Sequence, residues 1–259
     1  MLTASVSYQF IARDIDASLK LASEKPVVAR ESAYYLSKIG DINSIDEFLE
    51  DDRVYSYAMR AMGLEEMTYA KAFMRKVLTE GTDDNTSFAN QLADKRYAEF
   101  AENFNFKRYG ETATTFTKAR QGTVDKFVRQ VLEEDAGADN EGVRLALYFK
   151  RKAPSVNSTI ELLGEPALLK VVETMLGLSL SSGSIDKNIA RIEKRLDIAD
   201  LHDPEKLDKL LIRFTSMWEL NEPTATSVTN IGLLFSQPIE AGINQDLLSS
   251  LQSLKLNGS

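Results

Sequence analysis

The 259-residue chain is long enough for one large domain or two small ones, and for a real hydrophobic core. Thirty-nine acidic side chains against 31 basic ones leave a net charge of −8, which disfavours a general nucleic-acid binder because phosphate contacts need a basic surface. With no cysteine and a single histidine, His202, the chain excludes disulfides, thiolate-held zinc or iron–sulfur clusters, thiol nucleophiles and any site needing two histidines.

The residues from Met1 onward lack a basic segment followed by an apolar core, so a cleaved secretory signal is not expected. No uncharged apolar run approaches the roughly 18 residues needed to span a bilayer. These features predict a cytoplasmic chain, with export by a route that reads no cleaved signal left open.

The helical period dominates from the start. Tyr8, Ile11, Ile15, Leu19 and Ala22 step by three and four and predict one amphipathic helix ending before Pro26. A second helix runs from Pro26, with Val28, Ser32, Tyr35, Leu36 and Ile39 inward and Gly40 as its stop. Ser44-Ile45-Asp46-Glu47 is a capping box, in which the Ser hydroxyl accepts from the Glu amide and the Glu side chain returns a bond. The pattern predicts further helices over 53–62, 65–78, 87–92, 96–103, 114–134, 141–152, 166–176, 185–199 and 204–220. Stops are expected at Gly63, Gly81, Gly110, Gly137, Pro154 and Gly177.

Nothing alternates with period two for long enough to predict a strand. The expected fold is all-α, an irregular multihelical array of helix–turn–helix units with no significant sheet. Its expected parts are an amphipathic N-terminal helix over 1–25, a multihelical core over 26–222, and a polar tail over 223–259. A degenerate echo runs through it: Glu50–Leu64 resembles Leu92–Phe106 and again Gly164–Leu178, and a partial copy starts at Asp203. Each reads as a short capped helix, an acidic turn and a longer helix, at intervals too uneven for a regular solenoid. In the tail the charge density falls, and Ile243, Leu247, Leu248, Leu251, Leu254 and Leu256 mark an amphipathic helix with a weakly charged back face.

The constellations that carry chemistry are weak. His202 lies between Asp200 and Asp203, where a capping or solvated role competes with catalysis, and no strained Ser elbow accompanies it. The carboxylate pairs at Glu65-Glu66, Asp83-Asp84 and Glu133-Glu134-Asp135 flank predicted helix ends. The stretches 81–85 and 135–142 fail the calcium-loop template, and no phosphate-binding glycine loop is present. Lys118, Arg120, Lys126, Arg129 and Lys150-Arg151-Lys152 form two basic clusters, interleaved with core-spaced Phe116, Val124, Phe127, Val128 and Val131. Tyr34, Tyr35, Tyr55, Tyr57 and Tyr69 with Phe73 read as core, as does Trp218. No catalytic, cofactor-binding or metal-ligating residue is expected, and no cofactor.

Several runs together resemble a known family. They are Phe48–Ala58 with Gly63–Met67, Tyr69–Leu78, Phe88–Asp94, Glu141–Phe149 with Arg151–Pro154, and Glu193–Leu201 with Asp203-Pro204. As a set, spread over roughly residues 8–220, they are similar to an uncharacterised alphaproteobacterial family, domain of unknown function 1217. The resemblance implies a multihelical protein without established activity, often encoded among flagellar genes, and it carries no functional residue over. From it, and from the tail, the expectation is a non-enzymatic helical interaction protein serving flagellar assembly or motility. Its partners would be proteins, either flagellar components or a second copy, with no nucleic acid and no membrane insertion. The candidate partner-binding residues are Ile243, Leu247, Leu251 and Leu254. The alternatives are an enzyme using Asp and Arg in a helical cleft, a cytoplasmic adaptor unrelated to motility, and a nucleic-acid module on the basic helices.

Overall fold

The computed structural model describes residues 2–92, 94–180 and 184–221. Among the described residues there are helices and turns and no strand, so the fold is all-α. The N-terminal stripe is two helices, not one: α1 (Ala4–Arg13) and α2 (Ile15–Ser23) break at Asp14. Its carboxylate accepts from the Ala17 amide at 3.0 Å, so a side chain that competes with the backbone starts a second helix within an unbroken apolar period. Then follow α3 (Pro26–Ile39), α4 (Ile45–Glu50) and α5 (Asp52–Ala61). The capping box forms with only its return bond displaced, by one residue. Ser44 Oγ accepts from the Glu47 amide at 3.1 Å, while Glu47 returns its bond to the Asn43 amide at 2.7 Å.

The helix predicted over 65–78 is instead a single 3₁₀ turn, Glu65–Met67, followed by α6 (Lys71–Glu80). Next come α7 (Phe88–Gln91), α8 (Arg96–Asn103) and α9 (Phe106–Tyr109). The long helix predicted to start at Thr114 starts at Gln121 as α10 (Gln121–Asp139). Tertiary hydrogen bonds hold the preceding residues in turns: buried Thr114 donates to the Ile42 carbonyl at 2.7 Å, and the Tyr35 hydroxyl donates to the Ala119 carbonyl at 2.5 Å. At its other end α10 runs through Gly137, which is therefore not a stop.

The chain continues with α11 (Glu141–Lys152), α12 (Thr159–Gly164), α13 (Pro166–Leu176), α14 (Ile185–Glu193) and α15 (Pro204–Asn221). The short α12 has no counterpart among the predicted helices, and α14 ends at Glu193, ahead of a 3₁₀ turn over Ile198–His202. The sequence echo has a structural form. In α4–α5, α7–α8 and α12–α13 a short helix preceded by serine (Ser44, Ser87, Ser158) turns into a longer one.

Of the stops, Gly177 shows the mechanism most fully. It is left-handed at φ 60°, its amide reaches the Thr174 carbonyl and the Leu178 amide reaches the Glu173 carbonyl, which is a Schellman closure. Gly177→Ala is expected to cost about 1–2 kcal/mol, because a Cβ is strained in that region, read as a lowered denaturation midpoint. An unchanged midpoint would mean that the turn relaxes out of the left-handed state.

Two hydrophobic cores share α10. The first gathers α3 to α8 around Tyr35, Phe48, Tyr55, Phe100 and Phe104, all at most 1% exposed. Tyr35, Tyr57 and Phe127 stack within it at centroid spacings of 4.5 and 4.0 Å. The second gathers α11, α13 and α15 with Ala4 and Tyr8 of α1. Along α10, Val124, Phe127, Val128, Val131 and Leu132 enter the first core and Ala136 the second. Tyr34 is half-buried against the first core. Tyr69, read as core from its spacing, is 82% exposed, because the α6 helix starts after it and leaves it in the connecting turn. Phe116 is likewise 40% exposed in the turns before α10.

Candidate functional site

The polar chemistry that the sequence singles out is consumed by the fold. Glu133 on α10 is 1% exposed and lies between two arginines. Arg151 of α11 grips it in bidentate fashion, with Nε–Oε1 and Nη2–Oε2 both at 2.8 Å, and Arg129 reaches it at 3.0 Å. Lys152 pairs with Glu99 at 2.5 Å, Lys150 with Asp208 at 2.6 Å and Lys118 with Glu102 at 2.9 Å. So five of the seven basic residues of the two clusters already hold a carboxylate, and a phosphate track would have to compete with each of them. Lys126 rests on Asn103 Oδ1 at 3.1 Å. Desolvation pulls its ammonium below the usual lysine range; Glu99 opposes this, while Lys152, Arg151 and Lys118 add to it.

His202 is structural in its contacts, its Nε2 lying 2.7 Å from the Val156 carbonyl. Among the described residues, no group of three or more His, Asp or Glu is placed to hold a metal ion. Carboxyl groups whose titration the fold shifts are shifted down, among them Asp83, Asp94 and Glu102. They are held as anions, the opposite of what a general acid needs.

At Asp94, burial alone would raise the carboxyl, but hydrogen bonds from the Arg96 side chain and amide outweigh it and hold it below the usual carboxylate range. A lowered folded value stabilises the protein above the unfolded value near pH 4, and that stability disappears as pH falls through the lower folded value. Asp94→Asn is therefore expected to flatten the acid limb of a stability–pH curve below about pH 4, by roughly 0.5 kcal/mol after solvent screening. An acid limb identical to that of the unaltered protein would show that the Arg96 pair contributes nothing.

What remains open lies around α2. This helix has one buried residue, Ala22, and rests on α10 with a groove on either side. The first groove, about 250 Å³, is walled by Ile11, Leu21 and Ala22 on one side and Leu132 and Ala136 on the other. Asp135 and Asp139 stand at its rim, and Lys25 crosses to Asp135 at 2.5 Å. The second, about 320 Å³, lies between Leu19 and Lys20 of α2 and Val124, Asp125 and Val128 of α10. Both are open at the surface, and neither brings an Asp and an Arg together.

Periodicity alone did not single out this surface, because Leu21 reads as one more helical leucine until the break at Asp14 sets where α2 lies. Ile243, Leu247, Leu251 and Leu254, the partner-binding residues expected from the sequence, lie outside the described residues. No helix among the described residues is long and apolar enough to cross a membrane.

The model of a family described as protein of unknown function (DUF1217) matches residues 61–207. The X-ray crystal structure of a protein from Agrobacterium tumefaciens is similar to this chain at 49% sequence identity and a TM-score of 0.78, covering 86% of this chain and 98% of that one. No curated protein matches.

Proposed function

The chain belongs to the DUF1217 family of all-helical proteins, and on that premise we propose that it is a non-enzymatic interaction protein serving flagellar assembly or motility. The observation that supports an interaction role is where the fold places its chemistry. Around Glu133 two arginines and a carboxylate neutralise one another inside a helix contact, whereas the two grooves along α10 present mainly apolar surface to solvent. Such a surface suits helix recognition better than bond-making chemistry. The link to motility rests on what the family resemblance implies and on no feature of the grooves.

The sequence adds a contact segment of its own. Ile243, Leu247, Leu251 and Leu254 repeat at helical spacing in a stretch with little charge, the pattern of an amphipathic helix that docks through one face. Two experiments test the proposal. A clean deletion is expected to impair filaments or swimming, and normal filaments with normal swimming would refute the link to motility. In a tagged capture from motile cells, the chain ending at Asn221 is expected to lose a partner that the full chain retains. Equal capture by both would move the contact away from residues 243–254.

A further inference from the structure

We infer that the groove between α2 and the C-terminal half of α10 is a docking site for a basic amphipathic helix of a partner protein, which would place one large apolar side chain between Leu21 and Leu132. The inference rests on the interaction reading above and assigns it a surface and a partner chemistry.

The shape comes first. The groove is concave, about 250 Å³, and its walls are apolar. Leu21 stands in the wall at 68% exposure, although a neighbouring apolar position on the same short helix, Ala22, is buried. Leaving a leucine exposed beside an apolar concavity forfeits burial that a docked side chain would recover. The volume admits one bulky side chain and falls below the range of ordinary small-molecule sites, which begins at about 300 Å³.

The charge comes second. α10 ends with Glu133, Glu134, Asp135 and Asp139 and has no basic residue in its last turn. The C-terminal end of a helix already carries a negative partial charge, so carboxylates there raise the energy of the free protein. Three of the four are compensated: Glu133 by Arg129 and Arg151, Glu134 by Arg60 at 2.5 Å, and Asp135 by Lys25. Asp139, on the groove rim, is exposed and has no ion pair among the described residues. The rim therefore keeps one unneutralised carboxylate, Asp139, beside the apolar walls, and its charge favours a cationic over an anionic partner there.

A second copy of this chain would bring the same acidic rim and a net charge of −8, so like-charge repulsion disfavours symmetric pairing here. A helix with lysines flanking one leucine stripe meets both requirements.

The probe is a fluorescent amphipathic peptide of leucine and lysine, about 14 residues long so that it spans several turns, titrated into the full chain. Saturable binding is expected, weakened about tenfold by Leu21→Gln, and weakened severalfold with a reduced salt dependence by Asp139→Asn. Both side chains are exposed, so the variants should melt as the unaltered protein does, which is checked by circular dichroism. Leu220→Gln, also exposed but on α15, is expected to leave binding unchanged. A matched leucine–glutamate peptide is expected not to bind.

Absence of binding, equal binding of the two peptides, or equal weakening by Leu21→Gln and Leu220→Gln would each overturn the assignment. None of these outcomes touches the deletion phenotype or the capture experiment, so failure of the groove and failure of the interaction reading are distinguishable.

Discussion

Replacing Glu133 with alanine is expected to destabilise the protein by about 3–5 kcal/mol, because it strands two arginines that the fold has partly withdrawn from water. Glu133 is 1% exposed, and the side chains of Arg129 and Arg151 are 16% and 33% exposed. The cost arises from what is left behind. Each guanidinium loses the anion that offset its desolvation, and Arg129 keeps only a long contact of 3.4 Å to the Leu147 carbonyl. The partial exposure of Arg151 places the expected value toward the lower end, since its guanidinium can turn outward. Glu133→Gln preserves the shape but removes the charge and one acceptor, and is expected to cost less than the alanine variant. Replacing all three residues with apolar side chains of similar volume is expected to recover most of the loss. Chemical denaturation of the three variants decides this. A loss below about 1 kcal/mol for Glu133→Ala would show that both arginines relax freely into solvent.

The second large effect is at the contact of α11 with α15. Trp218 is 7% exposed, with Phe214 at a ring spacing of 5.8 Å and the Lys170 ammonium 5.4 Å from its ring. Its indole lies flat against Gly142, where an added Cβ would meet Trp218 Cδ1 at 2.4 Å. Trp218→Ala is expected to cost about 3–5 kcal/mol through the cavity it leaves. Gly142→Ala is expected to cost about 1–3 kcal/mol for the opposite reason, since the helices must part to admit one methyl group. The double variant separates this account from two unrelated losses. With the indole gone the methyl group has room, so the double variant should be more stable than the sum of the single changes implies, by about 1–2 kcal/mol. Strict additivity in denaturation midpoints would show that the two residues do not share the space the structure gives them.

These two sites show how differently the sequence discloses structure. Trp218 is legible as a core anchor because its spacing from Leu211 and Phe214 follows the helical period, and burial follows periodicity. The role of Gly142 is not legible, since a glycine near a helix start has many explanations and its constraint comes from a side chain 76 positions away. The basic clusters are similar. Lys118, Arg129 and Lys150-Arg151-Lys152 can be seen in the sequence as charge, but the carboxylates that neutralise them are as distant as Asp208 and Glu99.

By itself the sequence determined the all-helical class, most helix positions, the Gly177 closure and, through resemblance, the family. Apart from the family, which rests on resemblance over several runs, these follow from local quantities: a 3.6-residue period, a capping side chain, a backbone that only glycine adopts freely. Tertiary structure alone decided where α10 starts and where α14 ends. It also decided that Tyr69 faces water, that Glu133 takes two arginines, and that α2 leaves an apolar groove with an acidic rim. The helix predicted from Thr114 fails to form there because the Thr114 hydroxyl is used by Ile42 and the Ala119 carbonyl by Tyr35. Those partners are 72 and 84 residues away, and no local pattern encodes a hydrogen bond that exists only once the chain has folded back on itself.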